Sequence, residues 1–287
     1  MKWFLFRCFG SSIFLLATVL ATQAQMTPAP QQSPVPVSAP SLEREFFKNI
    51  LRDQKAIWTA PVHLDQADSK WVVPSSIGFM ALITTDRITG DRMNKFHAQV
   101  TTSRIVSLPG SSFGVGAIAA TFYLVGRTHN DTRARETGLL SAEAAIDSLI
   151  VASALKGISQ RGRPLIGRER SEFFDGGDSF PSGHSIQAWS VATVIAHEYH
   201  DRRLVQVAAY GLASAVSVAR FTGGKHYISD VVVGSALGYG IGRYVYNAHH
   251  RTDQAGQTST SNTERLLITP TYNRAARQYG MALRWRF

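Results

Sequence analysis

Apolar residues recur at intervals of three and four through most of the chain from 42 to 246, the period that places them on one face of a helix. The segment Leu42-Glu-Arg-Glu-Phe-Phe-Lys-Asn-Ile-Leu is amphipathic at that spacing, and further helices are predicted over 76–84, 114–125, 133–156, 182–199, 204–219 and 227–246. The end of the chain changes period. Tyr279, Met281, Leu283, Trp285 and Phe287 alternate with smaller or charged residues, which predicts a strand, paired with the apolar segment from Leu266 as a hairpin. The fold expected from pattern alone is mainly α, with a short C-terminal β-hairpin.

Polar and breaker-rich stretches divide this pattern. Residues 1–24 have a basic start, an apolar run over 12–21 and a small-residue site at Thr22-Gln-Ala, the layout of a secretory signal peptide. Residues 25–40 are rich in Pro, Gln, Ser and Ala and read as a disordered linker that buries too little apolar surface to fold. Residues 41–250 form the helical domain, about 210 residues and enough for one sizeable core. A polar linker over 251–264 leads to the hairpin over 265–287. The apolar helices at 204–219 and 231–242 are shorter than the roughly 20 residues of a membrane span. Together with a mean hydropathy of −0.06, this predicts an exported soluble bundle, periplasmic or in the cell envelope, rather than a polytopic membrane protein. The uncharged run 105–126 is interrupted by Pro109-Gly-Ser-Ser and reads as a loop followed by a helix.

Charge narrows the partners. The net charge of +10 becomes +8 without Lys2 and Arg7 of the leader, which favours anionic substrates and leaves association with an anionic membrane surface open. The basic residues are dispersed and show no nucleic-acid motif, which argues against nucleic acid as partner. The single cysteine, Cys8, lies in the leader, so the mature chain is expected to hold no disulfide. Oligomeric state is not legible.

The chemistry is concentrated between 156 and 230, in three clusters: Lys156-x6-Arg163-Pro, Pro-Ser182-Gly183-His184, and Arg220-x5-His226-x3-Asp230. Lys156, Arg163 and Arg220 suit the dispersed charge of a phosphoryl group, the arginines as planar forks and the lysine as a point charge. Ser182 and Gly183 open a helix whose N-terminal N–H groups attract anions, and Gly183 keeps a Cβ out of the way. His226 and Asp230 share a helix face, so the carboxylate is expected to fix the imidazole tautomer and free the other nitrogen to attack phosphorus. His184 then serves as acid for the leaving alkoxide and base for water. The cationic side chains already neutralise the phosphate, so no metal and no cofactor are called for. Arg161 and Arg168 beside the first cluster read as solvated charge. Asp175 and Asp178 read as an acidic turn, with a gate over the site as the alternative, and His63, His97, His129, His197, His200, His249 and His250 read as structural or surface residues.

These three motifs, in this order, resemble the type 2 phosphatidic acid phosphatase and haloperoxidase superfamily, which includes bacterial acid phosphatases, lipid phosphatases and vanadate-dependent haloperoxidases. The resemblance implies a helical bundle of the acid phosphatase and haloperoxidase type. It implies phosphate binding by Lys156, Arg163, Ser182, Gly183 and Arg220, nucleophilic attack by His226, orientation by Asp230 and acid catalysis by His184. The expected activity is metal-independent hydrolysis of phosphomonoesters, of small molecules or lipids and including diphosphates, through a phosphohistidine. A haloperoxidase holding vanadate as a phosphate mimic is the alternative, and a non-catalytic envelope-binding protein a further one. One position departs from the family pattern: Ala219 stands where a serine usually precedes the third-motif arginine.

Overall fold

In a computed structural model of the 287-residue chain, residues 39–63, 66–93, 97–164, 172–258, 267–273 and 278–284 are described here. The leader and all but the end of the Pro-rich linker therefore lie outside the described residues. The helices are α1 (Ala39–Thr59), α2 (Gln66–Met93), α3 (His97–Val106), α4 (Ser112–Thr128), α5 (Thr132–Ser159), α6 (Gly183–Glu198), α7 (Arg203–Thr222) and α8 (Ile228–Thr258), with 3-10 turns at Ala60–His63 and Leu108–Gly110. Strands β1 (Leu267–Asn273) and β2 (Gln278–Arg284) pair antiparallel, Leu267 opposite Arg284 and Asn273 opposite Gln278. The chain is thus mainly α with a terminal hairpin, as the change of period predicted.

Helix α6 is the axis of the bundle. It is apolar on nearly every face, and such a helix belongs in an interior. Ile186 and Val194 pack with Leu140, Ala144 and Val151 of α5 and with Ile241 and Val245 of α8. Ala188 and Ala192 pack on the other side against Ala213 and Val216 of α7. The α6–α8 contact is very close, because Gly234, Gly238 and Gly242 recur every fourth residue along α8. A Cβ on them would lie 2.9 Å from the Ser182 carbonyl oxygen, 2.2 Å from that of Ile186 and 2.3 Å from that of Ser190. Small residues at this spacing let two backbones touch over successive turns. One result is functional: the first turn of α8 is held against the start of α6, where the Ser182 N–H donates to the Asp230 carbonyl at 3.1 Å.

Three elements depart from the sequence pattern. Helix α2 begins ten residues before the predicted 76 and carries Pro74 inside it. Helix α3 was not predicted, since its residues are mostly polar, and α8 continues to Thr258 through the first half of the segment read as a linker.

The expectation of a soluble bundle is overturned. Helices Thr132–Ser159 and Arg203–Thr222 are both long and apolar enough to cross a membrane. For α5 a place in the core would explain this, but most of the apolar stretch of α7 faces outward, with Leu204 76% and Val207 69% exposed. On α4, Phe113 is 92% exposed. Contiguous apolar faces of this kind are uncommon on water-soluble monomers and fit a lipid surround. The sequence reading cut α7 to sixteen residues at its charged flanks. The helix in fact includes Arg203 and Arg220 and has twenty residues, a length of about 30 Å.

Candidate active site

Helix ends gather the three motifs at one end of the bundle. Lys156 lies in the last turn of α5, Ser182 is the N-cap of α6 with Gly183 and His184 in its first turn, Arg220 is in the last turn of α7, and Asp230 is in the first turn of α8. A tight reversal returns the chain after α7. The N–H groups of Gly223, Gly224 and Lys225 donate to the carbonyls of Ala219, Phe221 and Arg220, and Gly224 takes a φ of 63° that a glycine adopts without penalty. His226 follows at once, six residues after Arg220 yet at the same level.

The cations are arranged for an anion. The Ser182 side chain caps no N–H of α6, so the first amides of that helix are left to a ligand. The modest space beside Gly183, 3.7 Å from Lys156 Cε, opens toward the same side chain. The Lys156 ammonium donates to the Asp178 carbonyl. Arg163 grips the Asp178 carboxylate with both prongs, Nε to Oδ1 at 2.6 Å and Nη2 to Oδ2 at 2.7 Å. That fork holds the Asp178 carboxyl below its ordinary pKa. The acidic turn is therefore a direct partner of the first motif. Arg220 is less engaged: Nη1 reaches Ser107 Oγ only at 3.4 Å, and its buried Nε has no partner. His184 feels Arg220, His226, Lys156 and Arg163 together, and burial first, then these charges, push it down to about 3.

His226 is buried, and its Nδ1 lies 2.7 Å from the Ser179 carbonyl. A carbonyl only accepts, so Nδ1 carries the proton and Nε2 keeps its lone pair. Burial pushes the ring down to about 4, which keeps it neutral and nucleophilic. The expected role of Asp230 needs correcting. Its Oδ2 is 3.8 Å from Nδ1, beyond a hydrogen bond. It accepts instead from Ser179 Oγ at 2.5 Å and from the Tyr227 N–H at 2.9 Å. Asp230 thus fixes the residue whose carbonyl fixes the imidazole, and adds its charge from a distance.

Behind Asp230 stands a residue that the sequence reading placed in solvent. Arg161 is fully buried; it donates to Asp230 Oδ1 at 2.5 Å, to Ser229 Oγ at 2.7 Å and to Asp86 Oδ2 at 2.6 Å. Its guanidinium also lies 4.7 Å from the Phe173 ring centre and 4.4 Å from that of Tyr227. Asp86, Ser229 and Ser179 were missed with it. The one signal available was the Arg161-Gly-Arg163 doublet, which places two guanidinium groups where a phosphate needs one. Arg168 lies outside the described residues. Ala219 is buried one residue before Arg220, and its methyl group offers the site no donor.

Residues 137–254 match the family model described as PAP2 superfamily, a range that encloses every proposed site residue. The Lipid A 1-phosphatase of Porphyromonas gingivalis is 34% identical over 91 residues, 31% of this chain and 20% of that protein. The chain therefore spans about a fifth of the length of that curated relative. Among solved structures, similarity is found to the first transmembrane PAP2 type phosphatidylglycerolphosphate phosphatase from Bacillus subtilis, at 18% identity and a TM-score of 0.48, covering 74% of this chain and 97% of that one. Aquifex aeolicus LpxE is similar at 19% identity and a TM-score of 0.44, over 57% and 93%.

Proposed function

We propose, from the match of residues 137–254 to the PAP2 superfamily model, that the chain is a membrane-embedded phosphatase acting on lipid phosphates through a phosphohistidine on His226. The observation that carries this reading is the gathering of Lys156, Arg163 and Arg220 around His184 at the α6 N-terminus, with Lys156 and Arg220 also acting on an imidazole whose Nδ1 proton is held by Ser179. In the first step Nε2 attacks phosphorus and the ester P–O bond breaks; His184, neutral before substrate binds, takes up a proton as the bound phosphate offsets the surrounding cations, and passes it to the leaving alkoxide. The guanidinium and ammonium groups take up charge on the equatorial oxygens, as a loose phosphoryl transition state requires. Water then attacks phosphorus, the P–Nε2 bond breaks with its electron pair returning to the ring, His184 accepts the water proton, and His226 returns to its starting tautomer. The cations do the work often given to a metal, so the step is proposed as metal-independent.

The lipid assignment rests on position. Lys156 and Arg220 lie in the last turns of the two span-length helices, so the phosphate cradle sits where a span meets the headgroup layer. The name of the curated relative, a lipid A 1-phosphatase, agrees with that substrate class. The test is phosphate release from lipid phosphates in mixed micelles containing chelator, with acid-labile phosphoenzyme trapped alongside. Wild type should turn over and trap label, and His226→Ala should lose both by at least about 10³-fold, the scale of removing a unit in a covalent mechanism. Turnover retained in His226→Ala would end the phosphohistidine assignment.

A further inference from the structure

At the other end of α5 and α8, three helices bury a second set of ionisable side chains that the phosphatase chemistry does not use. Asp53 of α1, Glu143 of α5 and His249 of α8 present one ligand atom each, all within 4.8 Å of one another and all buried. His249 Nε2 is 2.9 Å from Glu143 Oε1. A third carboxylate, Asp147, lies one turn after Glu143 and also buried; its Oδ1 accepts from Gln54 Nε2 at 2.8 Å. Partners run out there. Asp53 Oδ1 has Tyr244 Oη at 3.4 Å and Arg52 Nε at 3.5 Å, and the Asp53 carboxyl also faces that of Glu143, while Asp53 Oδ2 and Asp147 Oδ2 are buried with no hydrogen-bond partner.

Three carboxyl groups held out of solvent around one imidazole and one rim guanidinium leave orphaned acceptor oxygens. Burial of that kind is costly unless a cation completes it. The donor set selects among cations. Magnesium and calcium take oxygen ligands, whereas an imidazole with two carboxylates suits zinc and its neighbours. At the usual zinc–ligand distances, tetrahedral ligand atoms stand about 3.3 Å apart, a spacing reached from this cluster by sub-ångström side-chain shifts. We propose that Asp53, Glu143 and His249, with Asp147 beside them, bind a divalent transition metal of the zinc class that clamps α1 to α5 and α8. Glu143 precedes Lys156 by thirteen residues, about 20 Å along the helix, so the ion would serve the fold and not the phosphoryl step.

The readouts are therefore metal content and melting temperature. Full-length protein in detergent is stripped with chelator, dialysed, and reloaded with zinc or with magnesium alone. Near one zinc per chain is expected, with a midpoint raised by about 5 °C or more, the shift that saturating a site on a domain of this size produces, and no response to magnesium. Asp53→Asn and His249→Gln should abolish both uptake and shift. Should either variant fail to fold, cobalt(II) added to wild type reports directly: visible absorption bands that zinc displaces are expected. Wild type that takes up no zinc and shows no displaceable cobalt bands would overturn the proposal, with protons alone neutralising the cluster. Equal zinc uptake by folded Asp53→Asn and His249→Gln would overturn it too.

Discussion

Asp178 is the residue whose replacement separates binding from chemistry. Its carboxylate occupies the fork of Arg163 that a phosphate would need, and its side chain is 62% exposed. An exposed pair of this kind is worth about 0.2–1 kcal/mol, so Asp178→Asn should lower KM by roughly 2-fold to 5-fold and leave kcat unchanged. Steady-state kinetics on a lipid phosphate decide it, and a raised KM would mean that Asp178 assists substrate. His226 makes a different prediction. Its folded pKa of about 4 lies below that of an ordinary histidine, so below about pH 6.5 the unfolded chain takes up a proton that the folded one refuses. Stability should therefore fall as pH drops from about 6.5 to 4. Thermal melts of His226→Gln should show a shallower decline than wild type, and parallel slopes would mean that the ring is not held neutral.

The residues legible in the sequence were those whose chemistry is packed into local spacing. Ser182-Gly183-His184 and the His226 to Asp230 turn carry their geometry in four or five positions. Arg161 was illegible because its meaning comes from Asp86, 75 residues away, and from Ser229, 68 away. In isolation, a charged residue in a loop reads as solvated. The Asp53, Glu143 and His249 set failed for the same reason, one member on each of three helices.

Among the elements, the α6–α8 pair sets the tolerance of the site. Gly238 sits where an added Cβ would meet the Ile186 carbonyl oxygen at 2.2 Å, a backbone atom that cannot swing aside. Overpacking a tight contact costs about 1–3 kcal/mol. Gly238→Ala should thus lower the melting temperature and, by pushing α6 away from Asp230, reduce kcat. Gly240, whose added Cβ meets nothing within 4 Å, is the control: Gly240→Ala should be neutral or stabilising, since alanine is the better helix former. Equal effects of the two would show that the stripe does not set the spacing. The helices themselves were mostly foreseen, because apolar periodicity is local. The length of α7 was not, since Arg203 and Arg220 read as boundaries when both lie inside the helix.

At the scale of the whole molecule, the outward apolar faces of α4 and α7 decide how substrate arrives. On the proposed reading, a phosphate cradle at the end of lipid-facing helices would meet its ligand by diffusion within the bilayer. The rate on a long-chain lipid phosphate should therefore follow its mole fraction in mixed micelles and not its bulk concentration. Surface-dilution kinetics test this, and a rate governed by bulk concentration alone would point to a water-borne substrate.

The glycine stripe has one more consequence. With the α6 and α8 backbones in contact over successive turns, Ser182 and Asp230 cannot shift relative to each other, and His226 hangs between them from Ser179. Reactive geometry is set by two helices packed along their length, while the segment from Glu172 to Asp178 is held from the end of α5, through Lys156, Ser159, Gln160 and Arg163. That segment is anchored on a different helix, so substitutions in it should leave the packing of α6 on α8 unchanged.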